Sequence, residues 1–83
     1  MITAIVLIEA DRDQYSKLGR VLAEVEGVAE AYSVTGGWDF VAIVRVPQHE
    51  LLAGVISDGI ANLPGVSRTQ TMVAFEAYSR ESG

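Results

Sequence analysis

Ile2-Thr3-Ala4-Ile5-Val6-Leu7-Ile8 opens the chain as a β-branched run that is apolar on both faces. As a strand it places Ile2, Ala4, Val6 and Ile8 on one side and Ile5 and Leu7 on the other. The same pattern returns twice. Phe40, Ala42, Val44 and Val46 oppose Val41 and Ile43, and further on Val73, Phe75 and Ala77 oppose Met72 and Ala74. A sheet covered by helices on one side normally alternates apolar with polar, and a contiguous exposed apolar face is unusual in a monomer. With 83 residues the chain makes one domain and has no room for a second covering layer. The simplest cover is a second copy of the same sheet. Six medium apolar side chains per subunit would contribute roughly 9–18 kcal/mol before the costs of association.

The segments between these strands fix their connection. Asp11 followed by Gln14 is a capping-box signal, and Tyr15, Leu18, Leu22 and Val25 then share one helical face. Gly27 stands where a C′ glycine ends a helix. Residues 28–35 read as a second strand, and Gly36-Gly37 as a two-residue type I′ hairpin leading into the third strand, residues 38–46. Pro47 breaks that strand. A second helix begins at Gln48 or His49, buries Leu52, Val55, Ile56, Ile60 and Leu63, and stops at Pro64-Gly65. Residues 66–78 form the fourth strand. Gly27-Val28 and Gly65-Val66 make a near-repeat, each glycine ending a helix and each valine opening a strand. The order βαββαβ with right-handed crossovers predicts an α+β, ferredoxin-like fold: a four-stranded antiparallel sheet, order 4-1-3-2, with two helices on one face. Paired face to face, two such chains make a dimeric α/β barrel.

Composition narrows the function. Six Lys and Arg against eleven Asp and Glu leave a net charge of −5, which argues against a direct nucleic-acid partner. The chain has no cysteine, which excludes disulfides, thiolate nucleophiles and cysteine-based zinc sites. A single histidine, His49, cannot build a histidine-rich metal centre. No apolar run approaches the length of a membrane span, and the N-terminus lacks the basic segment of a signal peptide. The expectation is a soluble cytoplasmic protein without cofactor or metal.

Two segments carry a family resemblance. Val25-Glu26-Gly27-Val28-Ala29-Glu30-Ala31-Tyr32-Ser33-Val34-Thr35-Gly36-Gly37-Trp38-Asp39-Phe40 resembles the pattern PGV-x-E…TG-x-x-D, and Leu63-Pro64-Gly65-Val66-Ser67-Arg68-Thr69-Gln70-Thr71 resembles LPGV-x-x-T-x-T. Both patterns belong to the effector-binding domain of Lrp/AsnC transcriptional regulators, the RAM domain, and the likeness covers essentially residues 1–83. It implies a ferredoxin-like fold, homodimers through the sheets, and octamers built as rings of four dimers, with a decamer as the alternative assembly. It also implies small effectors, commonly amino acids, held where subunits meet around the loop between the second and third strands. Full-length members carry a basic helix-turn-helix segment ahead of this domain, whereas here the first strand begins at Ile2. The expectation is a stand-alone RAM module whose partners include full-length regulators of the family.

The resemblance places Thr35, Gly36, Gly37, Trp38 and Asp39 in the effector loop. The chemistry suits an α-amino acid: glycine amides receive a carboxylate at close range, and Asp39 receives an ammonium. The plainer alternative has the glycines making the turn and Asp39 accepting hydrogen bonds from turn amides. Trp38 serves either as a pocket wall or as an interface anchor. Thr69 and Thr71, two apart on one strand, present both hydroxyls to one face and resemble the family's Thr-x-Thr pair. Tyr32 adds an aromatic ring with a polar tip. Arg45 and Arg68 are expected to pair with acidic neighbours. A dimeric α/β-barrel enzyme of the monooxygenase or isomerase type shares this fold, but it needs an acid–base or oxygen-activating constellation that these residues do not form. A scaffold that only oligomerises is the other alternative.

Overall fold

The computed structural model describes residues 1–80. Four strands, β1 (Ile2–Ala10), β2 (Val28–Ser33), β3 (Phe40–Val46) and β4 (Val66–Val73), form one antiparallel sheet in the order β2-β3-β1-β4. This is the expected 4-1-3-2 order read from the other edge. β1 lies centrally, with Ile5 opposite Ile43 on β3 and opposite Met72 on β4.

The helix α1 (Tyr15–Glu24) follows a 3₁₀ turn at Arg12–Gln14. Leu18 and Leu22 are buried, and the half-exposed Tyr15 lays its ring 4.9 Å from that of Phe40. The expected side-chain cap from Asp11 is absent; instead its backbone carbonyl accepts from Gln14 N–H at 3.1 Å. Gly27 and Gly65, the repeated glycines, have φ of 98° and 97°, so both turns into strands use the left-handed backbone that glycine tolerates.

The second helical segment departs from the expected α-helix. It begins as a 3₁₀ turn at His49–Leu51 and becomes a π-helix over Gly54–Ile60, with Ala61 N–H bonded to the carbonyl of Ile56. Leu52 and Ile60 are buried, while Val55, Ile56 and Leu63 pack at the margin of the core. Two glycines in this segment weaken α-helix propensity. The observed winding also sets Gly59 against Val25, where a Cβ would lie 2.8 Å from a Val25 methyl carbon.

β4 is shorter than expected. Its register with β1 runs as far as Val73 opposite Ala4, and Ala74 N–H still reaches the Thr3 carbonyl at 2.8 Å. Beyond that bond the chain leaves the sheet, and Phe75 and Tyr78 stand 95% and 84% exposed.

The core lies between the sheet and the helices: Ala4, Val6, Ile8, Phe40, Ala42, Val44 and Val46 are all buried there. On the other face no described element of the chain covers Ile5, Leu7, Val41 and Ile43, which are half-buried among their own neighbours, or Met72, which is exposed. Among the described residues no helix is long and apolar enough to cross a membrane.

Candidate functional site

The connection between β2 and β3 is longer than a two-residue turn. β2 ends at Ser33, β3 begins at Phe40, and Val34 N–H donates to the Asp39 carbonyl at 3.0 Å to close the loop. Of the two glycines only Gly36 has positive φ, 106°, which a type I′ turn would require at both. Thr35, Gly36 and Gly37 are exposed. A Cβ built on either glycine would meet nothing within 4 Å, so the loop offers bare backbone to open space.

Asp39 fixes this loop to the centre of the sheet. Its N–H donates to the Ile8 carbonyl at 2.9 Å, and its Oδ2 accepts the N–H of Ala10 at 2.8 Å. That side-chain bond falls where the β1–β4 register shifts between Glu9 and Ala10, and satisfies a donor next to the irregularity. A carboxylate accepting a backbone amide is thus present, but the donor belongs to β1 and not to the turn.

The anchoring carries Trp38 across to β4. The Arg68 guanidinium lies 4.4 Å from the Trp38 ring centroid and 3.6 Å from the Glu9 carboxylate, which sits opposite it on β1. Ser67 Oγ donates to the Glu9 carbonyl at 2.9 Å and lies 3.4 Å from Glu9 Oε1. Glu9 and Arg68 lie outside the motif residues that the sequence marks as a site. Arg68 pairs with an acidic neighbour as its charge predicts, but the pair's contact with the loop depends on where Trp38 lands, which no local pattern encodes.

At the opposite sheet edge Tyr32 lies on the same open face, opposite Val41. Its hydroxyl donates to Glu30 Oε2 at 2.7 Å, and Arg45 reaches the other carboxylate oxygen at 3.3 Å. The Tyr32 hydroxyl, followed by Arg45, holds the Glu30 carboxyl below its ordinary value, and Glu30 in turn pushes the Tyr32 phenol up.

Thr69 and Thr71 share a face, but it is the helix face, because they stand opposite Ile8 and Val6. The candidates therefore fall into two groups. The loop and Tyr32 border the open face, whereas the threonine pair lies on the other side of an edge strand. β2 and β4 are separated by two strands, roughly 14 Å at the usual strand spacing. A single chain does not bring Tyr32 and the threonines together.

A cleft of about 710 Å³ lies at the other end of β3, lined by Val25, Gly27, Pro47, Leu51, Val55 and Asp58 among others. None of the candidate residues lines it. Among the described residues no three His, Asp or Glu side chains converge as a metal site would require.

Comparison with known proteins follows the same outline. Residues 3–83 match the Lrp/AsnC ligand binding domain family. A Thermus thermophilus protein of known structure, TTHA0845, is 50% identical, with a TM-score of 0.89 over 96% of this chain and 100% of that one. An uncharacterized HTH-type transcriptional regulator of Pyrococcus horikoshii is 32% identical over 82 residues, 95% of this chain but 55% of the regulator. The chain thus spans about half the length of the curated relatives it matches. The feast or famine regulatory protein of M. tuberculosis, solved in complex with L-methionine, is 25% identical with a TM-score of 0.80, over 100% of this chain and 56% of that one.

Proposed function

Because the chain belongs to the Lrp/AsnC ligand-binding domain family, we propose that it is an effector-sensing and assembling module that binds an amino acid at the loop of residues 35–39. The observation that carries this reading is the loop itself: two glycines presenting bare backbone, held to β1 by Asp39 and flanked by Trp38. Amides in such a turn receive a carboxylate without obstruction. The M. tuberculosis relative solved with L-methionine supports an amino acid as the ligand class.

The reading includes self-association through the open sheet face. Ile5, Leu7, Val41 and Ile43 form an apolar centre, and the Arg45–Glu30 and Arg68–Glu9 pairs flank it. An apolar centre with a polar rim is the ordinary anatomy of a protein interface. The division of the candidates between two faces also favours a pocket completed by more than one chain, in a homodimer or a larger ring. Full-length regulators share this domain, and co-assembly with them in the cytoplasm belongs to the same reading. No reaction is assigned to the site.

The test uses Trp38, the single tryptophan, as reporter. The common L-amino acids are titrated individually while fluorescence and light-scattering mass are followed. Saturable quenching or enhancement by one or a few of them is expected, with a change in mass if the ligand favours one assembly state. No response from any of them at millimolar concentration overturns amino-acid sensing.

A further inference from the structure

We propose that Glu9 and Arg68 form the cradle for the charged head of a zwitterionic α-amino acid, Arg68 taking the α-carboxylate and Glu9 the α-ammonium. The proposal rests on the reading of residues 35–39 as the effector loop and names the groups that set its ligand class.

Asp39, the acid that the sequence suggests for the ammonium, already has Oδ2 engaged by Ala10 N–H, and that bond holds the loop in place. Glu9 and Arg68 are placed differently. They face each other across β1 and β4 on the open side of the sheet, 3.6 Å apart at their nearest atoms, with side chains 43% and 60% exposed. An exposed pair at that separation is weakly held and parts with little loss. Its two charges match, in sign and proximity, those of an amino-acid head group.

The pair is oriented as well as available. The Arg68 guanidinium carbon lies over the Trp38 ring at 4.4 Å, and a guanidinium held on a ring keeps its N–H donors for partners in its own plane. That planar fork is the geometry a carboxylate accepts bidentately. Ser67 Oγ reaches both the Glu9 carbonyl and Glu9 Oε1, which steadies the carboxylate. The exposed Gly36 and Gly37 belong to the same loop as Trp38, which brings that loop up to Arg68. The comparable pair at the other corner is less suited. Arg45 and Glu30 are closer, at 3.3 Å, and the Tyr32 hydroxyl holds Glu30 at 2.7 Å, a tighter bond than the 3.4 Å from Ser67 Oγ to Glu9 Oε1.

The test compares head groups by calorimetry and Trp38 fluorescence. The tightest-binding common L-amino acid is measured beside its α-amide, which lacks the carboxylate, and its 2-hydroxy acid, which lacks the ammonium. The native protein should prefer the amino acid over each analogue by about tenfold or more. Arg68→Gln should collapse the preference over the amide, with Arg68→Lys keeping part of it. Glu9→Gln should collapse the preference over the hydroxy acid. Both side chains are exposed, so folded variants are expected, checked by circular dichroism. Native protein that binds the analogues as tightly as the amino acid overturns the cradle, as do variants with unchanged preferences. Unchanged preferences in the variants leave the loop reading standing, because the glycine amides then account for the carboxylate, whereas a native protein indifferent to the carboxylate removes their role as well. A native protein that binds no amino acid overturns both.

Discussion

Asp39 ties its loop to the central strand: it bonds Ile8 and Ala10 of β1 and, through its carbonyl, closes the loop to Val34. Replacing it with alanine leaves the Ala10 amide beside the strand irregularity without its acceptor. Asp39→Ala should therefore lower stability by about 1–3 kcal/mol in urea unfolding, and Asp39→Asn, which keeps an acceptor oxygen, by less. Glu30 offers a second residue-level check. Its carboxyl is held below the ordinary range, first by the Tyr32 hydroxyl and then by Arg45. A lowered folded value means that the ionised form is favoured on folding. Its contribution is complete above the unfolded-state value and disappears as pH falls through the lowered folded one. Tyr32→Phe removes the larger cause, so the Glu30 titration followed by carboxyl NMR should move up towards its ordinary value. The identity of the loop residues was legible in the sequence. Their partners were not, because Ala10 and Arg68 lie 29 positions before Asp39 and 30 after Trp38 and meet them only through sheet register.

Among the elements, all four strands and α1 follow from apolar periodicity and glycine punctuation, and the near-repeat at Gly27 and Gly65 marks two turns with the same backbone. Three details escaped that reading for physical reasons. β4 ends where its ladder with β1 ends, a fact of pairing and not of propensity. The Gly-Gly turn opened into a longer loop because Asp39 bonds back to β1 in preference to a tight hairpin. The second helix kept its apolar positions but not its winding; as wound it sets Gly59 against Val25 and Val55 against Gly27, contacts that no local pattern encodes. The last point is testable. A Cβ on Gly27 would lie 2.6 Å from a Val55 methyl carbon, on a backbone with φ of 98°. Gly27→Ala should cost about 1–3 kcal/mol in thermal or urea unfolding. Adding Val55→Ala should recover part of the loss, by relieving the contact and leaving the backbone strain.

For the whole molecule the governing fact is asymmetry between the two sides of the sheet. One side is a closed core, and the other carries an apolar centre that no described element of the chain covers. The sequence showed this directly, because β1 and β3 are apolar at successive positions where a one-sided sheet would alternate. The structure adds the polar rim and the loop beside it, so that the proposed assembly face and the proposed ligand loop share a border. Ile43 sits near the middle of that face, opposite Ile5 and beside Glu30. Ile43→Asp should abolish self-association and leave the far-UV circular dichroism unchanged. The most direct measurement is the solution mass of the unmodified chain by sedimentation equilibrium at micromolar concentration. At least twice the 8.9 kDa of one chain is expected, falling to a single chain in Ile43→Asp. A native mass of 8.9 kDa at that concentration would contradict assembly through the open face.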